Sequence, residues 1–175
     1  MGANDNKPDT DNKTDIDYKF YFNIDDYVEL MNKTCPKPNS QHRHLAIIFN
    51  RDYVQFSFYG VNNVKIRHGL AEHAEVNALR KLPPKFSGKD KNIDLLVLRM
   101  SETGVLGLSK PCAHCLKFMA RMKGYNVKFV YYSDNAGNIM GDTFTHLYAE
   151  RTQYFSKGYT YKKKAYDKKN INSSK

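Results

Sequence analysis

The chain has 175 residues, of which 41% are apolar and 13% aromatic, and its formal net charge is +10. This length and apolar content suit one domain with a single core. No stretch approaches the ~20 apolar residues of a membrane-spanning helix, and the N-terminus has no apolar run typical of a secretory signal. A secreted disulfide scaffold usually has a larger, even number of cysteines, whereas this chain has three. Together these observations predict a cytoplasmic protein without a membrane partner.

The N-terminal part of the sequence predicts a polar segment followed by a helix. Residues 1–16 have almost no apolar side chains, so they cannot bury enough surface to offset the entropy of ordering, and we expect disorder. The folded domain is expected at residues 17–156. Within it, residues 18–33 place apolar side chains near helical spacing, and Pro36 and Pro38 end the pattern.

A β-hairpin is predicted next. Residues 45–49 form a short apolar run and residues 53–58 alternate in polarity, with a tight-turn sequence at 50–52. Residues 60–70 are polar and are expected to form a loop.

A second helix and a central strand follow this loop. Residues 71–82 have helical composition and are stopped by two prolines. Residues 85–92 predict a charged surface loop. Residues 93–98 are almost continuously apolar, which is typical of a strand covered on both faces.

The remaining elements complete a layered α/β domain. Residues 111–122 predict a helix capped by Gly124, and residues 127–132 predict a strand. The next turn is too short for a parallel crossover, so residues 138–140 should return antiparallel. A last helix is expected within 143–156. This order of helices and strands along the chain predicts a three-layer α/β/α fold with a central mixed five-stranded sheet.

Four residues in two short motifs carry the chemistry of this sequence. His73 and Glu75 lie near the start of one predicted helix, and Cys112 and Cys115 lie at the start of another. Catalytic zinc sites use three protein ligands and leave the fourth position to water, and His73, Cys112 and Cys115 supply three. Glu75 would then act as the general acid and base. The sequence therefore predicts a zinc cofactor with a carboxyl group beside it.

The spacing constrains how these residues meet. Cys112 and Cys115 lie on one helix face, whereas His73 and Glu75 are about 200° apart around a regular helix. His73 and Glu75 can reach one metal only if their helix approaches it end-on. We infer that this helix and the cysteine-bearing helix both point their N-termini at the zinc. His114 should point away from the metal. Glu72 is predicted to be an exposed carboxylate in the first helical turn. A structural zinc site and a redox Cys pair stay open as alternatives.

This motif pair, His-x-Glu followed by Pro-Cys-x-x-Cys, resembles the zinc-dependent cytidine deaminase superfamily over about residues 44–141. The resemblance implies a cytidine deaminase-like fold and a hydrolase of nucleotide metabolism. It also implies that His73, Cys112 and Cys115 bind zinc and that Glu75 moves protons. The backbone around Ala74 and Cys112 would hold the base.

The subgroup within this superfamily stays open. Gly60, Val61 and Asn62 resemble the Gly-x-Asn of the free cytidine deaminases, in which the Asn binds the ribose. Those enzymes have Glu where this chain has Val64, and Cys where it has His73. Histidine as the first ligand is typical of the deoxycytidylate, tRNA and editing groups. A plain turn residue is the alternative interpretation of Asn62.

Three functions are therefore considered. The first is hydrolytic deamination of a cytosine-type base in a free nucleoside or nucleotide, giving the uracil form and ammonia. The second is editing of RNA, tRNA or single-stranded DNA, with the basic tail at 157–175 binding the backbone. The third is a non-catalytic protein that keeps the deaminase fold. A homo-oligomer is implied by the likeness alone.

Overall fold

The computed structural model of the protein describes residues 23–35, 42–50, 53–62, 72–85, 87–150 and 155. The predicted disordered segment at 1–16 and the basic tail at 157–175 lie outside these residues. The predicted domain limits at 17 and 156 lie outside them as well, so these boundaries stay predictions.

Four helices and six strands make up the regular structure of the described residues. In chain order they are α1 (Ile24–Thr34), β1 (His42–Asn50), β2 (Tyr53–Val61), α2 (Ala74–Arg80), β3 (Lys91–Ser101), β4 (Leu106–Gly107), α3 (Ala113–Ala120), β5 (Tyr125–Ser133), β6 (Ile139–Thr143) and α4 (Phe144–Ala149).

The strands form one mixed sheet in the order β2-β1-β3-β5-β6, and β4 pairs with β3 beside this path. β3 and β5 run parallel, while the other described pairs are antiparallel. The predicted mixed α/β sheet is confirmed, and its five predicted strands are the five of the main path. The sixth, β4, was missed because two residues are too few to show a periodic pattern.

Helices cover both faces of the sheet, which confirms the three-layer architecture. One core lies under α2, α3 and α4 and includes Ile93, Leu95 and Val97 of β3. The other lies under α1 and includes Leu96 and Leu98, which point to the opposite face. β3 is therefore buried on both sides, as its continuous apolar sequence predicts.

The return after β5 is antiparallel, as the short turn predicts. Tyr132 of β5 pairs with Met140 of β6, and the strand continues to Thr143. Asp134 builds the turn, since its carboxylate accepts from the backbone N–H groups of Ala136 and Asn138 at 2.8 and 2.9 Å. Gly137 supplies the positive φ of 86° that this turn requires.

No helix among the described residues combines the length and the apolar character that crossing a bilayer requires.

The second strand is longer than the sequence predicts. The sequence predicts a loop at residues 60 and 61, but Gly60 pairs with Ala46 and Val61 pairs with Leu45 of β1. The β-ladder with β1 decides this extension, because pairing with a distant segment overrides a weak local propensity. Gly60 also brings the strand close to α2: a Cβ added there would lie 2.2 Å from the Ala78 nitrogen.

Replacing Gly60 by alanine is expected to lower the free energy of unfolding by about 1–3 kcal/mol. The added Cβ would also lie 2.4 Å from the carbonyl oxygen of Ala74, so α2 must shift away from the sheet. Urea unfolding measures the change. The matched control is Gly107→Ala, since a Cβ at Gly107 meets nothing within 4 Å. Equal stability of the two variants would show that α2 adapts without cost.

Candidate metal centre

The residue before each of two helices points its side chain at a common centre. His73 is the N-cap of α2 and Cys112 is the N-cap of α3, both with extended backbone. Neither side chain caps its own helix by a hydrogen bond. Both are therefore directed across the gap between the two helix starts. The end-on approach inferred from the His73–Glu75 spacing is the arrangement in the structure.

A buried serine pair fixes the segment that leads into α3. The Ser109 hydroxyl donates to the carbonyl oxygen of Val97 at 2.7 Å, and the Ser133 N–H donates to the Ser109 oxygen at 2.7 Å. The Ser133 hydroxyl donates to the Gly107 carbonyl oxygen at 2.6 Å. These bonds tie the neighbouring strands β3 and β5 to the chain just before Pro111. Sequence reasoning missed them, because neither serine belongs to a motif.

The distances among the three predicted ligands fit one tetrahedral ion. The Nδ1 atom of His73 lies 3.4 Å from the Cys112 sulfur and 3.2 Å from the Cys115 sulfur. The two sulfurs are 3.7 Å apart. With Zn–S of about 2.3 Å and Zn–N of about 2.0–2.1 Å, tetrahedral angles require about 3.8 Å between sulfurs and about 3.6 Å from nitrogen to sulfur. The residues present can therefore hold zinc, with the His73 Nδ1 atom as the nitrogen ligand.

The pKa values of the two thiols are shifted in opposite directions. A hydrogen bond shared with Cys115 and a smaller effect of His73 together lower the pKa of Cys112 to about 3, against the opposing effect of burial. The same hydrogen bond raises the pKa of Cys115, and burial and the nearby Glu75 add to that increase. The two thiols therefore differ in acidity. A metal cation in contact with both sulfurs would favour the thiolate form of each.

The pKa of the His73 imidazole is raised, as expected beside a negatively charged sulfur. The hydrogen bond with Cys112 raises the pKa of His73, and burial acts in the opposite direction. His73 is half-buried, whereas Cys112 and Cys115 are 4% and 0% exposed. Of the three residues, His73 is therefore the most exposed.

Glu75 lies beside this centre in the first turn of α2. Its side chain is buried, with 4% of the residue exposed. Burial raises the pKa of Glu75, while the charge of His73 and a hydrogen bond with Cys115 lower it. Burying a carboxyl group costs free energy, and perturbed ionisable groups of this kind occur often at functional sites. The predicted role of Glu75 as acid and base stays a prediction.

His114 does not join the three ligands. It is exposed, and its ring centroid lies 6.3 Å from that of His73 in an edge-on arrangement. Among the described residues, the group around this centre consists of His73, Cys112 and Cys115. The expectation that His114 points away from the metal agrees with this geometry.

Glu72 differs from its predicted role. It precedes α2 instead of lying in its first turn, and its side chain is only 11% exposed. Its carboxylate forms an ion pair with Arg80 and accepts from the Asn77 side-chain nitrogen at 3.0 Å. Asn77 in turn accepts the Val61 N–H through Oδ1 at 3.3 Å. This chain of contacts joins β2, the residue before His73, and α2.

Replacing Asn77 by alanine should lower the free energy of unfolding by about 1–3 kcal/mol, because the Val61 N–H and the Glu72 carboxylate both lose a partner. Urea unfolding and a zinc titration on the same samples measure stability and metal affinity. Asn126→Ala is the matched control, since Asn126 is exposed on β5. A loss in the control as large as in Asn77→Ala would contradict the expectation.

Asn62 lies next to this network. Its Oδ1 accepts the backbone N–H of His44 at 2.9 Å, and its own N–H donates to the His44 carbonyl oxygen at 3.3 Å. Asn62 thus extends the β1–β2 pairing by one residue. The predicted contacts of Asn62 and of the Ala74 backbone with a substrate stay predictions.

A second group of possible ligands is already paired. Asp142 Oδ2 lies 2.6 Å from His146 Nδ1, and Glu150 lies 2.7 Å from the Lys110 ammonium. The hydrogen bond with Asp142 raises the pKa of His146. Because each acidic group has a basic partner, we interpret this cluster as two ion pairs joining α4 to its neighbours.

Comparison with known proteins found similarity to a solved structure but none to a family model or a curated sequence. No protein-family model matches this chain, and no curated protein matches it in sequence. The crystal structure of cytidine deaminase from Mycobacterium leprae is similar to it with a TM-score of 0.46 and 18% sequence identity. The similarity covers 72% of this chain and 93% of that chain.

Proposed function

We propose that this protein is a zinc-dependent hydrolytic deaminase of a cytosine-type base carried by a nucleoside or nucleotide. The supporting observation is the convergence of His73, Cys112 and Cys115 at tetrahedral spacing, with the buried Glu75 beside them. Three protein ligands leave a fourth position for water, whereas a structural zinc site would fill all four. A buried carboxyl group at the same place has no evident structural use.

The residues of the chain divide the work of the reaction. Zinc held by the three ligands would supply the Lewis acidity that activates water near neutral pH. Glu75 takes the proton released by that water and passes it to the ring nitrogen next to the attacked carbon. A second transfer through Glu75 lets the exocyclic amine leave as ammonia. Base and water thus give the uracil form and ammonia, with no redox partner.

Buried residues surround the predicted metal ligands. Ala74 and Ala113, the first residues of α2 and α3, are buried together with both cysteines. Because His73 is the most exposed of the three predicted ligands, we infer that a base would approach from beside it.

The test is a substrate panel with the full chain loaded with one equivalent of zinc. Cytidine, deoxycytidine, deoxycytidylate and adenosine are each incubated with the protein, and ammonia release is measured. We expect release from at least one cytosine compound, and release at least about 100-fold slower with Glu75→Gln. Stoichiometric zinc without turnover of any of these compounds or of cytosine in an oligonucleotide would support a non-catalytic metalloprotein instead.

A further inference from the structure

Two short helices carry the predicted metal ligands and must keep a fixed spacing. His73 directly precedes α2 and Cys115 lies in the first turn of α3, and these helices have 7 and 8 residues. The His73 Nδ1 atom lies 3.2 Å from the Cys115 sulfur. A small slide of one helix against the other would change this distance. A contact that fixes α2 against α3 therefore also fixes the spacing of the ligands.

The residue before His73 is held at both of its carboxylate oxygens. Oε1 of Glu72 pairs with the Arg80 guanidinium at the end of α2, and Oε2 accepts from the Asn77 side-chain nitrogen at 3.0 Å. The Asn77 backbone N–H in turn donates to the His73 carbonyl oxygen at 3.0 Å. The backbone of His73 is thereby tied to α2 both through its own carbonyl group and through the side chain that precedes it.

The same guanidinium also contacts the second helix. The Arg80 Cζ atom lies 5.6 Å from the centre of the Phe118 ring, within the range of a cation–π contact. Phe118 follows Cys115 by three residues, so it lies about one turn further along α3 on the same side of the helix. Glu72, Arg80 and Phe118 therefore form a bridge between α2 and α3, which we name the Glu72 bridge. It joins the residue before one ligand to a residue one turn beyond another.

The exposure of these side chains indicates what the bridge can do. The Arg80 side chain is 61% exposed, and exposed ion pairs of this kind stabilise a folded chain only weakly. The Glu72 side chain is only 11% exposed, so its orientation is fixed by its partners. Hydrogen-bonded residues just outside a metal-ligating set commonly orient the ligands. The arrangement therefore fits a role in geometry better than a role in stability.

We propose that Glu72 is a positioning residue of the metal centre: its carboxylate holds Arg80 over Phe118 and thereby fixes His73 relative to the two cysteines. The proposal rests on the metal site of the proposed function, but not on the reaction. Changes just outside a metal-ligating set commonly weaken metal binding by about 10- to 100-fold. Because Glu72 acts through a neighbouring backbone, we expect a loss of about 10-fold, at the lower end of this range.

The test measures the zinc dissociation constant of the full chain by competition with a chromophoric chelator. Glu72→Gln, Arg80→Gln and the double variant are compared with the wild type. Glutamine keeps the helix propensity of Arg80, and circular dichroism of the metal-free proteins checks the fold. The matched controls are Glu102→Gln and Arg121→Gln, which make the same chemical changes at exposed positions.

Both single variants should bind zinc about 10-fold more weakly than the wild type. The double variant should lose no more than either, because the same bridge is broken in all three. The Arg80 result separates position from charge. Removing a cation and leaving the Glu72 carboxylate unpaired would by charge alone strengthen binding of Zn²⁺, whereas loss of position weakens it.

Co²⁺ in place of zinc is the second probe of ligand geometry. The visible absorption of this ion depends on how its ligands are arranged, so both single variants should show a shifted spectrum. The controls should keep the wild-type spectrum. A residue that only stabilises the fold would leave the spectrum of the folded, cobalt-loaded protein unchanged.

Zinc affinity of Arg80→Gln equal to or above that of the wild type would overturn the proposal, and so would losses that multiply in the double variant. Identical cobalt spectra of the wild type and both single variants would overturn it as well. None of these measurements needs turnover, so failure here is separable from failure of the proposed function. Zinc binding that weakens in the variants, without ammonia release by the wild type, supports the positioning role and rejects the deaminase. Ammonia release by a wild type whose variants keep its zinc affinity rejects only the positioning role.

Discussion

Replacing Glu75 by glutamine is expected to lower the rate of ammonia release by about 10²- to 10⁴-fold, the usual contribution of a positioned general acid and base. The amide has nearly the same shape and fits the same buried position, so zinc content and the unfolding midpoint should not fall. Removing a buried ionisable group can even raise stability, because its desolvation is no longer needed. Ammonia assays, metal analysis and urea unfolding on the same preparation measure all three quantities.

The control for this variant is Glu102→Gln, which makes the same chemical change on an exposed turn between β3 and β4. Its activity should equal that of the wild type. Activity of Glu75→Gln within tenfold of the wild type would remove Glu75 from the proton-transfer role. A collapse of its fold would show that the carboxyl group is structural.

Replacing Cys115 by serine should weaken zinc binding by about 10²- to 10³-fold. Structural zinc sites bind with about 10–16 kcal/mol shared among four ligands, so one thiolate contributes about 2.5–4 kcal/mol. A serine hydroxyl is a far poorer zinc ligand, because it is not ionised near neutral pH. Competition with a chromophoric chelator measures the dissociation constant. Cys112→Ser should give a loss of the same order.

The chain offers its own control for these variants in the third cysteine. Cys35 is buried in the other core, beneath α1, where its sulfur lies 3.7 Å from the His44 carbonyl oxygen. Cys35→Ser should therefore leave zinc affinity unchanged. Zinc should also stabilise the wild type by about 2.7 kcal/mol at a free concentration 100 times the dissociation constant, and this gain should vanish in Cys115→Ser. Equal zinc affinity of wild type and Cys115→Ser would end the three-ligand interpretation.

The candidate site shows how far a local pattern can be taken. The two-residue spacing of His73 and Glu75 is compatible with a shared centre only when a helix approaches end-on, and that geometry is intrinsic to the α-helix. The three-residue spacing of the cysteines likewise puts both sulfurs on one side of a helix start. The fold also followed from local patterns where these were strong. Continuous apolar character predicted that β3 is covered on both faces, and a short turn predicted the antiparallel β6.

Other features depend on contacts between residues distant in the sequence. Glu72 is held by Arg80 and Asn77, and nothing in its immediate sequence distinguishes this role from that of an exposed carboxylate. The extension of β2 through Val61 exists because β1 lies alongside it. The Ser109–Ser133 pair forms because β3 and β5 are neighbours in the sheet.

The sequence by itself determined which side chains can bind a metal and move a proton, since residue chemistry and helix periodicity are local properties. His73 and Cys112 are 39 positions apart in the sequence. Only the tertiary structure brings the His73 Nδ1 atom to 3.4 Å from the Cys112 sulfur, a spacing that suits zinc. Distances of this kind are set by how the sheet orders its strands and by how closely Gly60 lets α2 approach it, and no short stretch of sequence contains that information.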